Sequence, residues 1–216
     1  MWPSRKLLDL LQIELPIIQA PMAGANGSAM AIAVSEAGGL GFLPCAMLNE
    51  DQMRAEAGII QQQTAKPFGM NFFCHTAVAP TPEQEAAWAE RLAPYYSEFG
   101  LDPADVASAP IRRAFDDGMC TLVEDIKPAV ASFHFGLPDA ALLARVKAAG
   151  VRVISSATTV TEARWLEANG CDAIIAQGYE AGGHRGMFLT KDVTAQAGTM
   201  ALLPQVVDAV KIPVIA

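Results

Sequence analysis

The sequence predicts an α/β protein built on a parallel sheet, and three observations predict it. Short apolar runs recur along the chain, each followed by a stretch with helical spacing. Glycines close those helical stretches, at Gly38 and Gly39, Gly150 and Gly170, where a left-handed residue ends a helix without steric cost. The apolar runs are continuous rather than alternating, as expected of strands buried on both faces. A (β/α)8 barrel and an open doubly wound sheet share this pattern. The chain has 216 residues, which makes one domain over 1–216 the expectation. That length is at the lean edge for a barrel, which takes roughly 200 to 250 residues.

The elements follow in order. Residues 16–20 form the first apolar run and 28–37 a helix of small and apolar residues. A second strand at 40–43 leads to a helix at 51–63, and a third strand covers 67–73. An irregular insertion runs from about Cys74 to Asp117. It contains a helix at 81–95, opened by an N-cap Thr81 with Pro82 in the first turn. A second helix is expected at 102–117, broken or kinked at Pro110. Strand 129–133, helix 139–149, strand 151–155, helix 161–169 and strand 172–176 come next. A helix at 199–210 and a strand at 212–216 end the series. Seven strands thus alternate with about six crossover helices.

Composition excludes several functions. The net charge of −8 argues against a general nucleic-acid binder. No stretch approaches 18 uncharged apolar residues, so no membrane-spanning helix is expected, and polar residues interrupt any signal-peptide core at the N-terminus. The four cysteines, Cys45, Cys74, Cys120 and Cys171, are widely spaced and form no C-x-x-C. They read as buried thiols of a reduced cytoplasmic protein rather than a zinc site. The acidic pairs Asp116-Asp117 and Glu124-Asp125 read as solvated charges, and no metal site is expected.

Ligands of parallel α/β folds sit at the C-terminal ends of the strands. Polar residues gather there. Asn71 lies in the third strand, His134 ends the fourth, and Gln177 opens a glycine-rich stretch that reaches His184 and Gly186. Two of the three histidines therefore fall at strand exits, where they suit acid–base work near neutral pH. His75 follows an apolar strand end and ranks below them. The 178–186 stretch is neither a G-x-G-x-x-G nor a Walker loop. Its glycines allow close approach of a planar or anionic ligand.

Four stretches together resemble the nitronate monooxygenases, formerly called 2-nitropropane dioxygenases, in their class I branch. They are Gln19-Ala20-Pro21-Met22-Ala23, Phe68-Gly69-Met70-Asn71-Phe72-Phe73, Ser132-Phe133-His134-Phe135-Gly136, and the run from Gln177 to Gly186 containing Glu180-Ala181-Gly182-Gly183-His184. The resemblance implies a TIM-type (β/α)8 barrel that binds FMN at its C-terminal mouth and oxidises alkyl nitronates with O2 to a carbonyl compound and nitrite. It implies that Pro21, Met22 and Ala23 lie near the flavin's reactive edge. Asn71 and Gln177 would hydrogen-bond the ring or ribityl chain, and Gly182 and Gly183 would admit the cofactor. His134 becomes the candidate base or donor to the nitro oxygens, and His184 the second polar group. FMN-dependent enoyl-acyl-carrier-protein and quinone reductases share the barrel and a similar Gly-Gly-His loop, but use a nicotinamide donor. Family members are substantially longer. The resemblance therefore also implies an incomplete barrel of about seven strands, without the later elements that grip the FMN phosphate. A non-catalytic fragment is the reading of a different class.

Overall fold

The computed structural model describes residues 2, 4–76, 80–102 and 113–216. The chain divides into two compact units, Met1–His75 with Arg113–Ala216, and Thr76–Arg112. The larger unit holds a six-stranded, wholly parallel sheet in sequential order. Its strands are β1 (Gly41–Pro44), β2 (Phe68–Phe73), β3 (Val130–His134), β4 (Arg152–Ala157), β5 (Ala173–Ala176) and β6 (Val214–Ile215). The helices of this unit are α1 (Lys6–Leu11), α2 (Ser28–Glu36), α3 (Glu50–Gln63), α5 (Asp117–Ile126), α6 (Ala140–Ala148), α7 (Val160–Ala168) and α8 (Thr199–Ala209). The βα alternation predicted from the apolar runs is present, in the order a (β/α) barrel requires.

The first predicted strand, at 16–20, is reduced to a single parallel bridge between Ile18 and Leu40. The cause is local. The Gln19 side chain accepts from the Phe42 N–H at 3.2 Å and donates to its carbonyl at 3.4 Å. It thereby takes the groups that a longer ladder would use. Pro21, two residues on, has no N–H to offer.

Two helices were not read from the sequence in their proper place. Helix α1 carries Leu8 and Leu11, which are buried with Ile13 against Phe42, Val130, Ile154 and Ala173. It covers the inner face of the sheet toward the strands' N-terminal ends. The helix expected at 102–117 falls largely on residues 103–112, outside the described residues. Helix α5 begins where that helix was to end. Asp116 is its N-cap and accepts from the Met119 N–H at 3.0 Å. An Asp at such a position starts a helix rather than stopping one.

The strands hide a period of two beneath their continuous apolar runs. Leu43, Met70, Phe72, Ala131, Phe133, Val153, Ala157, Ile174 and Ala176 pack in the cluster beneath the helices. Phe42, Val130, Ile154 and Ala173 face the other way, into the α1 cluster. Gly69 shares this inner face, because a Cβ there would lie 2.3 Å from the Phe42 ring. The inner face changes character along the strands. It is hydrocarbon where α1 covers it, and it becomes polar toward the C-terminal ends, through Asn71 and Ser132 to His134 and Ser156.

The smaller unit is built on α4 (Pro82–Phe99). Thr81 and Gln84 form a capping box, as the Thr-Pro opening suggested. The helix runs past Tyr95 to Gly100, whose left-handed φ of 63° ends it. None of its residues is buried.

Candidate active site

Register fixes which polar side chains share a level. Asn71 pairs with Ser132 across β2 and β3, and Phe73 pairs with His134 two residues further on. Asn71 is buried and donates from Nδ2 to the Ser132 hydroxyl at 3.1 Å and to its carbonyl at 3.3 Å. A buried amide needs such partners, and Ser132 supplies them. The inner-face period of two also carries Asn71, Phe73 and His75 to one side.

All three histidines of the chain meet at this end of the sheet. The Phe73 ring lies 6.1 Å from His75, 5.8 Å from His134 and 5.4 Å from His184, centre to centre. Phe135 lies 4.6 Å from His134 and 5.2 Å from Phe73. The structure thus brings His75 into the same cluster as the two histidines the sequence favoured. Its Nδ1 is buried and makes no hydrogen bond. Only the alternation 71, 73, 75 could have revealed it from sequence.

A backbone kink aims this cluster. Phe135 has a φ of 68° and Gly136 of 92°. For a phenylalanine that conformation is strained by about 1–2 kcal/mol. Ser155, fully buried, holds the kink with its single O–H, which is shared between the carbonyls of Phe133 and Gly136 at 3.0 and 2.8 Å.

His134 is held at both ring nitrogens. Its Nδ1 lies 3.1 Å from the Ser156 hydroxyl, and its Nε2 lies 2.9 Å from the His184 carbonyl oxygen. Burial pushes its pKa below the usual histidine range, against the opposing pull of the His184 carbonyl. The neutral ring is therefore the form at neutral pH. A carbonyl only accepts, so Nε2 carries the proton and donates, while Nδ1 accepts from Ser156.

The loop after β5 is tied to the same residues. Gln177 donates from Nε2 to the His184 carbonyl at 2.8 Å, and its Oε1 accepts from the Gly186 N–H at 2.6 Å. Within the loop, the Arg185 guanidinium lies 4.7 Å from the Tyr179 ring centre and donates to Gln196 at 2.6 Å. Glu180 accepts from the Thr199 N–H at the start of α8, a helix whose N-cap Gly198 has no side chain to offer. The far side of the loop is anchored by Glu162. This fully buried carboxylate accepts from the Thr158 N–H and hydroxyl at 2.7 Å each, and from the Phe188 and Leu189 N–H groups at 2.7 and 3.2 Å. Four donors satisfy a buried charge that would otherwise be costly. Glu162 and Ser156 were not singled out in the sequence, because neither lies in a motif whose spacing names its partner.

The glycines of the loop divide into two kinds. A Cβ at Gly178 would lie 2.0 Å from the Thr199 hydroxyl, and one at Gly186 would lie 2.7 Å from His134 Cε1. Packing demands those two. A Cβ at Gly182 or Gly183 would meet nothing within 4 Å, so protein packing does not require them.

Pro21, Met22 and Ala23 are exposed in the loop that follows the Ile18 bridge, at the same end of the sheet. The Met22 N–H donates to Asn26 Oδ1 at 2.8 Å, and Asn26 in turn donates to the Phe42 carbonyl at 3.0 Å. Asn26 is thus the residue that shapes this loop. The structure groups His134, His184 and Gln177 by direct contact. It places Asn71 in the register step below His134, and it gives Pro21, Met22 and Ala23 no direct bond to that group.

Among the described residues, no group of three or more His, Cys, Asp or Glu is placed to hold a metal ion, and no helix is long and apolar enough to cross a membrane. The acidic pairs serve structure. Arg145 on α6 bridges Asp117 and Glu124 of α5, and Arg54 pairs with Asp125 at 2.7 Å.

Comparison with known proteins gives these features a context. The profile of the nitronate monooxygenase family matches residues 4–216. A nitronate monooxygenase of Paraburkholderia phytofirmans is 43% identical over 214 residues, covering 99% of this chain and 58% of its own. One from Pseudomonas aeruginosa is 41% identical, covering 96% and 59%. The crystal structure of nitroalkane oxidase from Streptomyces ansochromogenes superposes with a TM-score of 0.83 at 40% identity, over 97% of this chain and 59% of that one. FabK from Thermotoga maritima, as its M276A mutant, gives 0.70 at 29%, over 96% and 54%. The chain spans about three-fifths of the length of the curated relatives it matches.

Proposed function

The chain belongs to the nitronate monooxygenase family, and from that premise we propose that it contributes the flavin and substrate face of an enzyme that oxidises alkyl nitronates with O2. The products are a carbonyl compound and nitrite, and the cofactor is FMN. The observation that carries this reading is the inner face of the sheet, which turns from hydrocarbon to amides, hydroxyls and histidine toward the strand ends.

The residues present fit a flavin. Gly182 and Gly183 leave open space that packing does not explain. Asn71 and Gln177 are amides able to donate and accept toward a ring with several carbonyls and nitrogens. Exposed Pro21, Met22 and Ala23 offer backbone at the same end. Bound FMN supplies the electron transfer to O2. This chain's residues bind and orient. His134 presents an N–H from Nε2, suited to the oxygens of an anionic nitro group. His184 stands beside it across Phe73 as the second polar group. Phe73 and Phe135 give the substrate's carbon chain an apolar wall. A neutral nitroalkane must also lose a C–H proton, and His134 takes it once its ring proton has moved from Nε2 to Nδ1. No membrane partner or nucleic acid enters this reading, and we place the protein in the cytoplasm.

The test is to purify the protein with FMN, add an alkyl nitronate under air, and measure nitrite. Nitrite formation that depends on FMN and O2 is expected. Flavin bleaching by NADH, with no nitrite, would overturn this reading in favour of a reductase.

A further inference from the structure

We propose that Ser156 is a positioning residue for His134, and that the main-chain carbonyl of His184 decides which ring nitrogen of His134 carries the proton. The inference rests on the reading that His134 faces the substrate and deepens it.

Three groups surround the acid–base machinery of this ring. The His184 carbonyl, 2.9 Å from Nε2, can only accept, so it holds the proton at Nε2. The Ser156 hydroxyl, 3.1 Å from Nδ1, can donate or accept. Gln177 holds the same carbonyl from the other side at 2.8 Å, and fixes the Gly186 N–H at 2.6 Å. In this arrangement Nε2 is a donor. It can hold an oxygen of an anionic nitronate once that oxygen replaces the carbonyl, but it cannot take a proton.

Abstraction of a C–H proton by Nε2 needs the other tautomer. The carbonyl must leave Nε2, the proton must reside on Nδ1, and the Ser156 oxygen must accept from it. The substrate C–H bond then breaks and its electron pair passes into the nitro group. The proton goes to Nε2, and the imidazolium donates from Nδ1 to Ser156. A hydroxyl turns from donor to acceptor by rotation about one bond. A carboxylate at that position could only accept, and an alanine could do neither. Ser156 is buried and lies on the inner face at the step beside His134. A Cβ on Gly186 would lie 3.1 Å from the Ser156 Cβ and 2.7 Å from the His134 ring, so the loop carrying the carbonyl closes directly on this pair.

The test uses the whole protein with 15N-labelled histidine, which gives three ring systems to assign. In the wild type His134 is expected as the Nε2–H tautomer, with an Nδ1 signal displaced by an accepted hydrogen bond. Ser156→Ala should remove that displacement. An Nδ1–H tautomer in the wild type, or an unmoved Nδ1 signal in Ser156→Ala, overturns the proposal. The second readout is the ratio of kcat/KM for a neutral nitroalkane to that for its nitronate. General base catalysis contributes about 10²- to 10⁴-fold, and Ser156→Ala, which leaves the Nδ1–H of the base without its acceptor, should lower the ratio by at least about tenfold. An equal fall for both substrates marks Ser156 as merely structural and overturns the proposal. If the wild type releases no nitrite from either substrate, the functional reading fails, and the tautomer result still decides the role of Ser156.

Discussion

At the scale of single residues, the site is defined by what each polar atom is allowed to do. His134 is the most constrained, with an acceptor on one nitrogen and a hydroxyl on the other. Burial lowers its pKa below the usual value near 6.5. The sign of the linkage follows. Between the lowered value and about 6.5 the unfolded chain holds more protons on this residue than the folded chain does. The contribution of neutral His134 to stability is therefore full above about pH 6.5 and is lost as pH falls through the lowered value. Denaturant unfolding of the wild type and His134→Asn at pH 7.5 and 5.5 checks this. The stability difference between them should shift against the wild type at the lower pH, and a difference independent of pH would contradict it.

At the scale of elements, the loop after β5 carries most of the site's organisation. It is fastened at Gln177, at Glu180 to α8, and through Phe188 and Leu189 to Glu162 on α7. The two kinds of glycine in it should respond differently. Gly186→Ala pushes a methyl into the His134 ring and should cost about 1–3 kcal/mol by overpacking. Gly182→Ala should leave unfolding within about 0.5 kcal/mol, as for a surface change, yet weaken FMN binding. Thermal unfolding and flavin fluorescence titration separate the two effects. Equal FMN affinity in Gly182→Ala and wild type would remove that glycine from the cofactor site. The glycine-rich pattern showed in the sequence, but the division into packing glycines and ligand glycines did not, because it depends on Thr199 and His134 from other elements. Strand and helix alternation was legible for a related reason. Apolar runs and glycine stops are local signals. Helix α5 was not, since the Asp116-Asp117 pair that opens it looks the same as a solvated helix end until the Met119 N–H is seen to bond it. The first strand is cut short by the missing N–H of Pro21, which is legible in the sequence, and by Gln19, whose capture of the Phe42 backbone groups is a long-range contact.

At the scale of the molecule, one sheet face serves two purposes. Toward the strand starts it is closed by α1 with Leu8, Leu11 and Ile13, and that part is pure packing. Toward the strand ends it gathers Asn71, Ser132, Ser156 and all three histidines. The sequence placed His134, Asn71 and Gln177 at strand ends through the βα alternation, and the family resemblance gave them roles. The alternation 71, 73, 75 was the one local signal for His75, whereas Ser156 behind His134 follows from the register between strands, which no local signal carries. In the proposed reaction this polar end, with His134 at its head, performs the chemistry. The measurement that tests it most directly is nitrite release from a neutral nitroalkane by His134→Asn and wild type, each with FMN bound. Removal of a positioned base costs about 10²- to 10⁴-fold, and a loss in that range is the predicted result. Turnover by His134→Asn equal to wild type would contradict it.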